Sequence, residues 1–310
     1  MFRSEILNFN NIIGNENVKH LLDTSVKSNN LVHSYMFVGP EGIGKKLFAR
    51  ELAKTISCLD ELKSCNTCSS CIKFESDNHP DFMQIDSEDG KNIKIGQIRL
   101  LQEKIAEKPI ISNKKVYIIN DSDLMTIEAQ NCLLKTLEEP PEYATIILVL
   151  SNENKLLNTI KSRCTKISFQ KLSNDNLIQY AKLNNIEVNN DLLSICNGSI
   201  SSLISLKNNI ESYKTLDVII ADFSKKDIVD IWNEAEILYK SKDNILNLLD
   251  YFNNTFFNKL RNSNEDKYIN SIKIVETTKK RLSSNANFDM CIDNLLLKIW
   301  EEFNESNNRS

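Results

Sequence analysis

Apolar residues recur along the first 170 positions with two periods, and the two alternate. Short runs predict strands at Tyr35 to Val38 after His33-Ser34, Asp81 to Asp86, Lys115 to Ile119, Thr145 to Leu150 and Thr165 to Phe169, of which Lys115 to Ile119 reads as buried and Thr145 to Leu150 as continuously apolar. Between them, apolar positions three and four apart predict helices. One is Glu16 to Lys27, with Val18, Leu21, Leu22 and Val26 on a face. A second carries Leu47, Phe48, Leu52, Ala53 and Ile56, and a third runs from about Ile93 to Glu107 and is stopped by Pro109. The fourth is Thr126 to Glu139, with Ala129, Cys132, Leu133, Thr136 and Leu137 on a face, ended by Pro140-Pro141. A turn-like entry, Phe9 to Gly14, precedes them, and a polar loop through Gly90 follows Asp86. Such alternation predicts an α/β domain on a doubly wound parallel sheet, residues 1–169.

After Gln170 the strand-like runs stop. Short helical patterns from Leu172 to Leu206 break at Asn189-Asn190 and Asn197-Gly198, and from about Asn208 the pattern is helical to the last residue. Residues 170–207 therefore read as a small helical lid and 208–310 as an all-helical domain. Trp232 and Trp300 are expected in its core.

Composition narrows the class. With 41% hydrophobic and 26% charged residues the chain is globular, and a net charge of −4 gives it no overall basic field for nucleic acid. No apolar run reaches the ~20 residues of a membrane span, and the N-terminal stretch has no signal-peptide core, so a cytoplasmic protein is expected.

Candidate chemistry gathers at two places. The loop Gly39 to Lys46 reads GPEGIGKK and lies between the first sheet strand and a helix. Backbone N–H groups and a helix N-terminus there suit a phosphate chain, with Gly39, Gly42 and Gly44 for close wrapping and Lys45 as the point charge. The next residue should be Ser or Thr, whose hydroxyl ligates Mg²⁺, but is Lys46. The strand Lys115 to Ile119 should end in an acid that holds the same ion, but ends in Asn120, followed by Asp121. Both metal-holding positions of a P-loop ATPase are thus altered.

The second place is the cysteine series Cys58, Cys65, Cys68 and Cys71, spaced C-x6-C-x2-C-x2-C. Four thiolates so spaced form a closed tetrahedral shell for a structural Zn²⁺, with no open position for catalysis. His79, in His79-Pro80-Asp81, is an alternative ligand, although a turn is the favoured reading there.

In order, the strand and loop HSYMFVGPEGIGKK, the cysteines, HPDFMQI, IKIGQIR, KVYIINDSD, LLKTLEEPP and the triplet Ser162-Arg163-Cys164 resemble the bacterial clamp-loader AAA+ subunits, over about residues 9–206 and more loosely beyond. The match is closest to the delta-prime branch, which serves the DNA polymerase III holoenzyme. The resemblance implies a P-loop AAA+ core with an inserted zinc module at 58–71, a helical lid and a C-terminal collar domain for oligomerisation. It implies that Arg163 acts in trans as an arginine finger on a neighbouring subunit's ATP. It implies motor (gamma/tau) and delta subunits as partners, with the sliding clamp and primer-template DNA met through the complex.

The departures shape the expected function. Besides Lys46 and Asn120, the stretch after Gly198-Ser199 reads Ile200, Ser201, Ser202 and Leu203, where the family's ATPases carry a nucleotide-contacting arginine. A non-catalytic delta-prime-like subunit with no ATPase of its own is expected, and the lack of a long extension after the helical region goes with that. Whether Lys45 and the glycines still hold ATP stays open. The alternatives are an ATP-hydrolysing gamma/tau motor and a stand-alone zinc-containing P-loop protein.

Overall fold

The computed structural model describes residues 9, 12–60, 64–87, 91–188, 190–284 and 286–305. Parts of the expected entry (10 and 11), of the polar loop (88–90) and of the break at Asn189 lie outside the described residues. The chain divides into two compact units, Met1–Asn176 and Leu177–Ser310.

The first unit runs α1 (Glu16–Lys27), β1 (Ser34–Val38), α2 (Lys45–Ser57), α3 (Ser69–Glu75), β2 (Phe82–Ile85), α4 (Ile95–Ala106), β3 (Lys115–Ile119), α5 (Ile127–Glu138), β4 (Ala144–Leu150), α6 (Asn158–Lys161) and β5 (Thr165–Ser168). The five strands pair in parallel in the order β2-β3-β4-β1-β5, the sheet expected from the apolar runs. The inner strands β1, β3 and β4 are buried almost throughout because the pleat sends alternate side chains into two cores, whereas the edge strand β5 buries Ile167 and exposes Thr165, Lys166 and Ser168. Phe37, Val116, Ile118, Ile147 and Val149 meet Leu22 of α1 and Phe48 and Leu52 of α2. Met36, Tyr117, Ile119, Ile146 and Leu148 meet Ile98 and Leu101 of α4 and Leu133 of α5.

Strand order decides where a ligand could sit. From β1 the chain leaves through α2 and α3 for the far edge at β2, while β1 itself lies between β4 and β5. The order reverses there, and such a switch point opens a crevice beyond the carboxyl ends of the strands. The loop Gly39 to Gly44 leaves β1 at that crevice.

The second unit is helical among the described residues. After α7 (Asn174–Leu183), which spans the division, come α8 (Asn190–Cys196), α9 (Ile200–Asn208), α10 (Ile210–Asp222), α11 (Ile228–Glu234), α12 (Glu236–Lys240), α13 (Ile245–Ser263), α14 (Asp266–Ser283) and α15 (Phe288–Glu305). Phe223, Phe252, Phe256, Tyr268 and Phe303 form a ring cluster at its centre, with Phe256 and Phe303 centroids 6.1 Å apart. Trp300 donates its indole N–H to the Lys226 carbonyl at 2.9 Å. Trp232, expected in the core, is 37% exposed instead. It stands on a helix of only seven residues whose buried anchor is the adjacent Ile231, so the next side chain turns outward. No helix among the described residues is long and apolar enough to cross a membrane.

Candidate functional site

The glycines of the loop do different work. A Cβ on Gly39 would lie 2.6 Å from the Phe169 carbonyl oxygen and 2.8 Å from the Phe169 Cβ, so this glycine lets the loop press against the end of β5. Gly42 and Gly44 have φ of 73° and 95°, a left-handed conformation that costs glycine nothing. Gly44 turns the chain into α2, whose first residue is Lys45. The Lys45 side chain folds back over the loop and donates to the carbonyls of Gly39 (2.7 Å) and Pro40 (2.6 Å), with Ser151 Oγ at 3.4 Å. It is 6% exposed. Burial pushes its ammonium below the ordinary lysine range, against the pull of Asp123, Glu41 and Asp121.

Lys46, one residue on, points to the end of β2. Its Nζ lies 2.8 Å from Asp86 Oδ1. Asn120 donates to the same Asp86 Oδ1 at 3.0 Å and to Asp121 Oδ2 at 3.0 Å, and Gln84 donates to Asp86 Oδ2 at 2.5 Å. Burial raises the Asp86 carboxyl, but the donors from Lys46, Gln84 and Asn120 outweigh it and hold the group below the usual carboxylate range. Asp121, left-handed at φ 50°, accepts from Ser87 Oγ at 3.0 Å. The two positions that differ from a working P-loop thus meet on one carboxylate. A hydroxyl and an acid there would share a divalent ion. Here an ammonium, which cannot ligate a metal, and an amide turned nitrogen first both donate to Asp86.

The four cysteines come together as their spacing predicts. All four Sγ atoms lie within 4.8 Å of one another, with Cys58 to Cys65 at 3.6 Å, Cys58 to Cys68 at 3.9 Å and Cys65 to Cys71 at 4.0 Å. Tetrahedral Zn–S bonds of about 2.3 Å place sulfurs about 3.8 Å apart, so the set fits zinc. Backbone N–H groups of Cys68 and Cys71 point at the sulfurs of Cys65 and Cys68 (3.3 and 3.4 Å). N–H groups of Thr67 and Cys68 draw the Cys65 thiol down to about 6. Lys54 of α2 pairs with Glu75 of α3, and Arg50 lies over the Phe74 and Phe82 rings at 5.4 and 5.6 Å, which pins the module to α2 and β2. The cluster begins where α2 ends, and that helix of 13 residues is about 20 Å long, so the cysteines are remote from the phosphate loop.

His79 is not a ligand. It is 4% exposed, its Nδ1 accepts from the Asp81 N–H at 3.0 Å and its Nε2 meets Ser70 Oγ at 2.8 Å. With Nδ1 accepting, Nε2 carries the proton. Ser70 and Ser112 both donate onward to the Ser57 carbonyl. Asp81 accepts N–H bonds from Ile110, Ile111 and Ser112 at 2.7 to 2.8 Å.

Arg163 lies just before β5. Its Nη2 pairs with Glu138 Oε1 at 2.8 Å and its Nη1 donates to the Thr159 carbonyl at 2.8 Å. Neighbouring Cys164 packs on the second core, and burial pushes its thiol up to about 12. Positions Ile200 to Leu203 open α9, capped by Ser199 on the Ser202 N–H, and bring no cation. Sequence reasoning gave no role to Asp86, Ser151 or Glu138. Asp86 and Ser151 carried a signal: each is the first polar residue after a strand beside the loop or beside β3.

A family model described as "DNA polymerase III, delta subunit" matches residues 14–173. The DNA polymerase III subunit delta' of Bacillus subtilis is 30% identical over 92% of this chain and 95% of its own length. The DNA polymerase III subunit gamma/tau of Mycoplasma genitalium is also 30% identical, over 96% of this chain and 54% of its own length, so the chain spans about half of that relative. Among solved structures, a DNA polymerase III gamma subunit-related protein from Thermotoga maritima aligns with a TM-score of 0.51 and 18% identity, over 91% of this chain and 99% of that one. At that identity the likeness is one of fold.

Proposed function

Because the chain belongs to the DNA polymerase III clamp-loader subunit family, we propose that it acts as a delta-prime-type subunit that binds no catalytic metal and hydrolyses no ATP itself. The carrying observation is the convergence of Lys46 and Asn120 on Asp86. Phosphoryl transfer is mostly positioning and charge stabilisation around Mg²⁺, so a site whose metal positions are an ammonium and an amide retains little turnover. In this reading the cysteines hold a structural Zn²⁺, residues 170–207 form a lid and 208–310 a collar. Motor (gamma/tau) and delta subunits are its partners in the cytoplasm, and the assembled loader acts on a sliding clamp and primer-template DNA.

Arg163 then serves the neighbouring subunit's ATP. Its ion pair with Glu138, side chains 34% and 49% exposed, contributes below about 1 kcal/mol, so exchange of that partner for a phosphate is inexpensive. A finger of this kind is worth about 10³–10⁵ in rate in GTPases. The gamma/tau reading has the Mycoplasma genitalium relative in its favour, but it needs a metal site at Lys46 and Asn120.

The test is ATP turnover by the purified chain, then with motor and delta subunits, clamp and primed DNA. No turnover alone, and full loader activity only with this chain present, supports the proposal. Arg163→Ala should then assemble normally and lower DNA-stimulated turnover. Turnover by the chain alone, lost in Lys45→Ala, would replace the proposal with the motor reading.

A further inference from the structure

Between α14 and α15 lies a pocket of about 120 Å³, lined by Lys273, Thr277 and Arg281 from one helix and Asn294 and Lys298 from the other, with Ile274 and Thr278 at its floor. The spacing follows from helix geometry: positions 273, 277 and 281 climb one side of α14, while 294 and 298 are one turn apart on α15. Of the other cations of α14, Lys267 pairs with Glu265 and Lys279 with Asp250 and Glu276, while exposed Lys280 stands beside the pocket without an ion pair among the described residues. Lys273, Arg281 and Lys298 have no ion pair among the described residues, and all three are exposed. The threonine hydroxyls donate to the Lys273 and Ile274 carbonyls and keep lone pairs free, so the pocket's remaining donors are the three cations and the Asn294 amide.

Three cations without ion pairs lining one small polar hollow suit the charge of a phosphate group. We propose that this groove binds the phosphate backbone of nucleic acid, independently of base sequence. The chain as a whole is negative, at −4, so any affinity for DNA must come from a local concentration of positive charge. Contacts from these cations to phosphates carry no sequence information, so the groove is expected to position a strand and not to select one.

The proposal does not depend on the role of Arg163 or on the missing ATPase, and its test uses neither ATP nor partner subunits. Anisotropy of a labelled 20-nucleotide DNA, single-stranded and as duplex, is followed with the full-length zinc-loaded chain at 50 and 200 mM salt. Binding is expected within the ~10⁻⁴–10⁻⁶ M range of non-specific contacts, and no binding by the unmutated chain at 50 mM salt would overturn the proposal. Charge reversal at the groove (Lys273→Glu, Arg281→Glu, Lys298→Glu together) should weaken it at least ~10-fold and lower the salt slope by about three, one per cation. The charge-conserving Lys273→Arg, Arg281→Lys and Lys298→Arg should stay within about threefold, since point charge and not bidentate geometry carries a phosphate contact. A matched reversal at exposed Lys182, Lys214 and Lys225 should matter much less. Equal loss in that control, tighter binding of a polyglutamate peptide than of DNA, or capture of inorganic phosphate without any DNA binding would each overturn the proposal.

Discussion

Two glycines of the phosphate loop answer the same substitution in opposite ways. Gly39 is needed for space, Gly44 for its backbone. Asn tolerates a left-handed φ better than Ala, so in urea unfolding Gly44→Asn should cost less than Gly44→Ala, each about 1–2 kcal/mol at most. At Gly39 the order reverses: Ala costs about 1–3 kcal/mol against the Phe169 backbone, and the larger Asn costs more. The loop's identity was plain in the sequence, but this division of labour was not, because it depends on how near β5 runs. The same holds for His79, whose buried partners come from three separate segments. Burial holds its pKa below the ordinary 6.5, against Asp81. The unfolded imidazole therefore takes up a proton as pH falls through 6.5, while the folded one resists until its own lower pKa. Stability from a neutral His79 is complete above 6.5 and is lost as pH falls from there toward the folded value. The gap between the native chain and His79→Gln should be about 1–3 kcal/mol at pH 8 and shrink toward pH 5, as read by thermal unfolding. Both proteins carry the same cysteines, so any metal effect cancels, and a gap that widens on acidification would sink the neutral assignment.

At the scale of elements, apolar patterning located the strands and α-helices among the described residues of the first unit except α3 and the four-residue α6. Seven residues hold too few turns to show an amphipathic face or to persist alone, so α3 depends on its ends being tied. Cys68 serves it twice, as a candidate metal ligand and as the N-cap that accepts from the Cys71 N–H. Serine is a good N-cap but a poor zinc ligand. Cys68→Ser should therefore keep the cap and lose the metal: zinc per chain falls from about one to near zero, and helicity drops as the module opens. Zinc content unchanged by the substitution would remove Cys68 from the ligand set. The tie between Lys46, Asn120 and Asp86 was half legible. The sequence marked both odd residues; that they share a partner needed β2 and β3 side by side, a pairing across 34 positions.

For the molecule as a whole, the two units have separate cores, one on each face of a sheet plus one of stacked helices. Phe256 is fully buried in the aromatic cluster, and Phe256→Ala should cost about 3–5 kcal/mol. Hydrogen exchange should place that loss in α13, α14 and α15 while β1, β3 and β4 stay protected. Equal loss of protection in the sheet would mean that the units unfold as one. The saturated Asp86 also has a historical edge. Returning a hydroxyl to position 46 alone strips the carboxylate of its cation while the Asn120 amide stays turned toward it, nitrogen first. Returning an acid to position 120 alone sets like charges against a single ammonium. Each solitary reversal loses stability with nothing gained, so a lineage carrying both changes can recover a metal-holding pocket only by crossing a valley.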